Sequence, residues 1–281
     1  MDTSPQPGRF QKLLTPTQTL SPTQQALQER LAFLVGCAAL ALPAILWLLA
    51  HAPKVCMRDS ISHFYYDPFL GTMFAGILFF IGGFMIALTG ENRLEKYGSS
   101  LAGIGAFALA LFPTSGDGCE HLNDFSARPF AHMTRPAAEN ASAGYIVAPY
   151  DGGAYFAVTS SAEHLHMYGA GVVFVFLGLY CYFVLARVID ARHKVGGELI
   201  ATKRNRNRLY KTCGVVILLC VATLGAKSPL LSDAALLWWN RLNLTFYVEA
   251  LALLAFAVAW FAKGRRFTRL NDTEVVPLSR L

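Results

Sequence analysis

The chain has 281 residues, of which 54% are apolar and only 15% charged, against about 25% charged in soluble globular domains. That balance excludes an ordinary soluble domain and points to a bilayer. The formal net charge of +6 needs no nucleic acid to explain it, because the cations sit in the segments between long apolar runs.

About 20 apolar residues in a helix cross the ~30 Å of hydrocarbon in a membrane. Six runs approach that length: Leu31 to Ala50, Phe69 to Leu88, Lys96 to Phe112, His164 to Val188, Thr212 to Ala226 and Leu242 to Ala262. The third and fifth are short and must borrow from their flanks. Residues 1–21 are rich in Pro, Thr and Gln without apolar period and read as a disordered tail. Ser21, Pro22 and Gln24 then spell a capping box with proline at the first helical position. The first helix should therefore start near Pro22, kink at Pro43 and remain as a membrane anchor. Asp67-Pro68 starts the second helix, which ends at Gly90. Asn92 with Glu95 opens the third, and Pro113 ends it. The only long connection, 114–159, contains YIVAPYDGGAYFAV at 145–158, an alternating pattern about Asp151-Gly152-Gly153 that reads as a β-hairpin lying over one face. Ser160 with Glu163 is a second capping box, ahead of the fourth helix. Ser228-Pro229 stops the fifth, and Ser232-Asp233 opens an interfacial stretch holding Trp238 and Trp239. The expected architecture is an all-α bundle of six membrane helices over 22–263, with a small outer cap and a cytoplasmic tail over 264–281.

Basic residues resist translocation, so their distribution sets orientation. With the N-terminus in the cytoplasm, eighteen of the 24 Lys and Arg fall on the inner side, eight of them between Arg187 and Lys211. Both termini are then cytoplasmic, in a plasma membrane, with a bacterial inner membrane the expected location. Four of the six cysteines, Cys37, Cys181, Cys213 and Cys220, fall within apolar runs and act as small hydrophobes. Cys56 and Cys119 fall in outer loops and make a candidate disulfide.

This orientation gathers the chemistry on one side. His51, His63, His121, His132, His164 and His166 all face outward, with Asp59, Asp67, Asp117, Glu120, Asp124 and Glu163 near the same helix ends. Histidines with carboxylates are the usual ligands in zinc-activated water chemistry. His63, His121, His164 and His166 are the candidate metal ligands, with Asp67 or Asp124 as a further group. His164 and His166 at i, i+2 project to different sides of a helix, which weighs against a shared ion. The blander reading makes these residues interfacial, with Asp67 a helix cap. Ser60 or Ser62, a histidine and Asp67 can be assembled into a nucleophilic triad, but no strand-turn-helix elbow surrounds them. Ser60, Asp67 and Glu249 are the catalytic candidates; Ser62, His63, Tyr66, Asp124, His166 and Glu249 are the candidate binding residues. Glu249 lies ten residues past Trp239, about 15 Å along a helix at ~1.5 Å per residue. A carboxylate at that depth marks function by default. Its candidate partners are Lys227, a histidine of the fourth helix, or Thr245; the structural alternative is a neutral acid bonded between helices.

The polar motif DSISHFYYDPFLGTMFAG before helix two, ALFPT ending helix three, and HLHMYGAGVVFVFLGLYCYFV at helix four resemble the six-helix Frag1/DRAM/Sfk1 group in layout over roughly residues 31–262. Asp59, Ser60 and Ser62 match its first motif, and His166 with Gly169-Ala170 its second. The resemblance implies a role in lipid remodelling or membrane homeostasis. His63-Phe64-Tyr65-Tyr66 and the long outer loop depart from the group's pattern. A second similarity, to seven-helix ceramidase and haemolysin-III-like hydrolases, rests on Ser60-x-x-His63 but lacks their paired HxxxH and one helix. The leading expectation is a membrane protein that binds lipid head groups through an outer His/Asp/Glu pocket. The alternative is a zinc-dependent hydrolase or lipid-modifying enzyme of the outer leaflet. Transport is disfavoured, since the chain has no internal repeat.

Overall fold

Ser21 and Gln24 close the capping box that their spacing predicts. The Gln24 amide donates to Ser21 Oγ over 3.3 Å, and the Ser21 amide to Gln24 Oε1 over 2.9 Å. Helix α1 (Pro22–Leu49) runs from this cap with Pro43 inside it. The computed structural model describes residues 21–52, 55, 57–88, 93–112, 162–188, 194–195 and 198–271. The N-terminal tail, the 114–159 loop with its expected hairpin, and the Ser160 cap lie outside the described residues.

A 3-10 turn (Ser62–Tyr66) leads into α2 (Pro68–Ala87), whose first amides are capped by Asp67 as expected; α3 spans Arg93–Leu111. Helix α4 (Ala162–Leu179) continues in π geometry over Tyr180–Leu185, for which the sequence carries no signal. Then come α5 (Ala201–Leu230), the short α6 (Asp233–Arg241) capped by Ser232, and α7 (Leu244–Lys263). All six apolar runs are helical. Helices α1, α2, α4 with its continuation, α5 and α7 are long and apolar enough to cross a membrane.

Helix α5 corrects two expectations. It begins at Ala201, so the basic stretch read as a loop is helix, and it continues through Pro229 to Leu230. The first extension is held because Lys203, Arg206, Asn207 and Tyr210 form a buried stripe at helical spacing, with Arg206 donating to the Leu270 carbonyl over 2.7 Å. The second leaves Pro229 inside the last turn, where it removes one bond of the ladder, and the helix ends one residue later. Among the described residues the only strands are Lys194–Val195 and Glu198–Leu199, an antiparallel pair before α5.

The helices pack in chain order around a ring: α1 on α2, α2 on α3, α3 on α4, α4 on α5, α5 on α7, and α7 back on α1. Trp260 of α7 is wholly buried, packed against Phe84 of α2 at 5.1 Å between ring centroids and stacked on Tyr180 at 6.3 Å. Leu48, Ile104, Phe183 and Leu219 instead stand exposed on the outer faces, as side chains facing lipid would. Lipid gives helices little hydrophobic reason to associate, so close backbone approach matters more. Glycines supply it where α3 meets α4. A Cβ on Gly169 would lie 2.8 Å from the Gly105 carbonyl oxygen, and one on Gly105 would lie 3.0 Å from that of Gly169.

Replacing Gly169 by leucine should therefore force α3 and α4 apart and destabilise the fold by about 1–3 kcal/mol. Gly171→Ala, where a new Cβ meets nothing within 4 Å, should hold or slightly raise the melting midpoint in detergent, since alanine favours a helix interior over glycine. Equal midpoints for the two variants would contradict the packing described.

Candidate functional site

The chain turns from α6 into α7 through Asn243, held in the left-handed region at φ 53°. The first turn of a helix leaves amides without intrahelical partners. Here the Phe246 amide donates to the Asp59 carbonyl over 2.7 Å, so the segment before the 3-10 turn lies across the start of α7. One turn further along, Glu249 receives that segment. Ile61 N–H donates to Glu249 Oε2 over 2.7 Å, and Ser60 Oγ–H lies 3.0 Å from both carboxylate oxygens. Arg58, Asp59, Ser60, Ile61 and His63 are all buried as a result.

Glu249 is shallower than a single helix running on from Trp239 would place it. Because α6 and α7 are separate helices, Glu249 is five residues into α7, about 7.5 Å from its start. The partners expected from sequence also differ. Lys227 Nζ and Trp239 Nε1 both donate to Thr245 Oγ1, over 2.9 and 2.8 Å, which ties α5 and α6 to the start of α7. The partners of Glu249 come from the loop before α2, 188 and 189 residues away in sequence.

Two histidines complete the cluster. His63 Nδ1 donates to the carboxylate of Asp59, four residues earlier. Burial pushes the Asp59 carboxyl upward, but the bond and charge of His63, helped by Lys227, outweigh it and hold the group below its ordinary 3.8. On α4, His166 is buried and spans two elements. Its Nδ1 lies 2.7 Å from the Phe112 carbonyl at the end of α3, and its Nε2 lies 2.9 Å from Ser62 Oγ. A carbonyl only accepts, so Nδ1 carries the proton; Nε2 of the neutral ring then accepts from the Ser62 hydroxyl. The Ser62 amide in turn donates to Ser60 Oγ over 3.2 Å. Tyr65 fastens the same turn to α3 by donating to the Leu111 carbonyl over 3.1 Å.

Five of the residues singled out by sequence, Ser60, Ser62, His63, His166 and Glu249, thus meet at one end of the bundle. Asp67 lies apart as the cap of α2, its Oδ1 accepting from the Phe69 and Leu70 amides over 3.1 and 2.8 Å. His164 is exposed on α4 beside Tyr168, away from His166 as the i, i+2 spacing predicts. Among the described residues no three His, Cys, Asp or Glu side chains are grouped to hold a metal ion. His121, Asp124, Cys56 and Cys119 lie outside the described residues, as does the side chain of Tyr66. Cys37, Cys181, Cys213 and Cys220 are free thiols within helices. Sequence reasoning missed the Phe112 carbonyl as a partner of His166 and did not pair Asp59 with His63, although the latter two stand at helical i, i+4 spacing. No known protein family, curated protein or solved structure matches this chain.

Because the Asp59 carboxyl titrates lower in the folded protein than in the unfolded chain, its contribution is present above pH 3.8 and is lost as pH falls through the lower folded value. Asp59→Asn should cost about 2 kcal/mol at neutral pH. The gap to wild type should close in denaturation curves taken below pH 3.8. A gap that stays constant into acid would contradict the ion pair.

Proposed function

We propose that the protein is a six-span plasma-membrane protein, of a bacterial inner membrane, whose outer end binds a lipid head group and which serves membrane homeostasis. One observation carries this reading: charges of both signs, Asp59 and Lys227, converge with His63 and Glu249 beneath the ends of α2, α4, α5 and α7 instead of being spread over a solvated face. Lipid head groups with a phosphate and an ammonium offer both signs in return, and Nε2 of His63 has no protein hydrogen-bond partner among the described residues.

Helix α3, with Arg93, Glu95 and Lys96 in its first turns, is the sixth span in this proposal. Its charged end meets Arg187 of the α4 terminus through Glu95. That end of the bundle also holds Arg206, Lys263 and Arg265, as expected of a cytoplasmic face. The site lies at the opposite end, toward the outer leaflet.

Two measurements check the proposal. A periplasmic reporter fused after Ala52 should be active, and one fused after Asn271 should be silent; the reverse pattern would overturn the orientation. Protein stripped of lipid in an uncharged detergent should gain several degrees of melting temperature when phosphatidylethanolamine or phosphatidylglycerol is added back, and Lys227→Met should lose most of that gain. No shift with either lipid would refute head-group binding.

A further inference from the structure

Ser60 and Ser62 have different chemical prospects. The Ser60 proton is committed to the Glu249 carboxylate. The Ser62 proton points at a neutral imidazole nitrogen 2.9 Å away, and the opposite ring nitrogen is fixed by a carbonyl 2.7 Å away. A hydroxyl, a base within hydrogen-bond reach and a third group that orients the base are the three parts of an activated serine nucleophile. The parts come from three elements distant in sequence, with His166 following Ser62 by 104 positions, so no local motif produces the pair. The sequence triad built on Asp67 is not the one that forms, since Asp67 caps α2 and the Phe112 carbonyl takes the orienting place. Ser62 is also the partly exposed member, while His166 is buried behind it. Glu249 and Ser60 act as positioning residues here, because Ser60 Oγ receives the Ser62 amide and so fixes the backbone from which the nucleophile projects.

We propose that Ser62 and His166 form a catalytic dyad that cleaves carboxylic esters of outer-leaflet lipids. The proposal rests on the head-group reading for its substrate class but not for its chemistry. Ser62 Oγ forms a bond to the acyl carbon while its proton passes to His166 Nε2. The bond from that carbon to the alcohol oxygen breaks, and the alcohol leaves with the proton from Nε2. Water then adds to the acyl carbon and gives its proton to Nε2; Ser62 Oγ departs and takes that proton back. The products are one alcohol and one carboxylic acid, and the dyad is restored without an oxidant or a metal ion.

A fluorophosphonate probe applied to the full-length protein in detergent tests this, because it phosphonylates only activated serines. Mass spectrometry should find one adduct, on Ser62, with none on Ser60. His166→Gln should label at least a hundredfold more slowly while keeping the wild-type melting temperature. Should that variant unfold, the wild-type pH profile serves instead: the labelling rate should climb through a single titration as His166 becomes neutral and then level off. No adduct on Ser62 in folded protein, labelling as fast in His166→Gln, or a rate without that titration would overturn the dyad. Labelling on Ser62 in protein that no phospholipid stabilises would leave the dyad and remove the lipid substrate. Phospholipid stabilisation without labelling would do the opposite.

Discussion

A carboxylate one turn into a membrane helix must be supplied with donors, and the rest of this site follows from where they come. Glu249 takes them from Ser60 and Ile61, which pulls the loop before α2 across the start of α7. Removing a charged or strongly polar acceptor from water is costly unless such bonds form. The same constraint fixes Asp59 over the Phe246 amide and so satisfies an otherwise orphaned donor of α7. Once the loop is in place, the 3-10 turn that follows buries His63 and brings the partly exposed Ser62 within reach of His166.

The ring of helices makes that placement possible. Each helix packs on its chain neighbours, and α7 closes the ring on α1. Residues from the ends of α3, α4, α5 and α7 therefore surround the same end of one cylinder. Trp260, wholly buried in the last turn of α7, packs against Phe84 of α2 and Tyr180 of the α4 continuation. Close contact of α3 with α4 at Gly105 and Gly169 brings the Phe112 carbonyl to His166. The opposite end is rich in cations, some buried like Lys203 and Arg206 and some paired with acids, Arg187 on Glu95 and Arg265 on Glu29.

Much of this was legible from residues alone. Apolar run length located six helices, and the Ser21, Asp67 and Ser232 starts were readable because an N-cap is a local interaction. The i, i+2 spacing showed that His164 and His166 would part. Glu249 stands only one turn past Thr245, the residue that Trp239 bonds, because α6 and α7 are separate helices joined through Asn243, and the beginning of α5 was missed because two of its cations, Lys203 and Arg206, are buried. The partners of Glu249 and His166 were illegible for a physical reason. They are contacts across 188 and 54 residues, and one of them is a backbone carbonyl, which every residue possesses.

Glu249 and Ser60 are directly bonded, and a double-mutant cycle measures the coupling between them. Ser60→Ala, Glu249→Ala and the double variant would be unfolded in the same detergent, and their stabilities compared. A coupling of about 1 kcal/mol or more is expected, as for residues sharing a hydrogen bond. Additivity within about 0.3 kcal/mol, the behaviour of groups that do not touch, would contradict it.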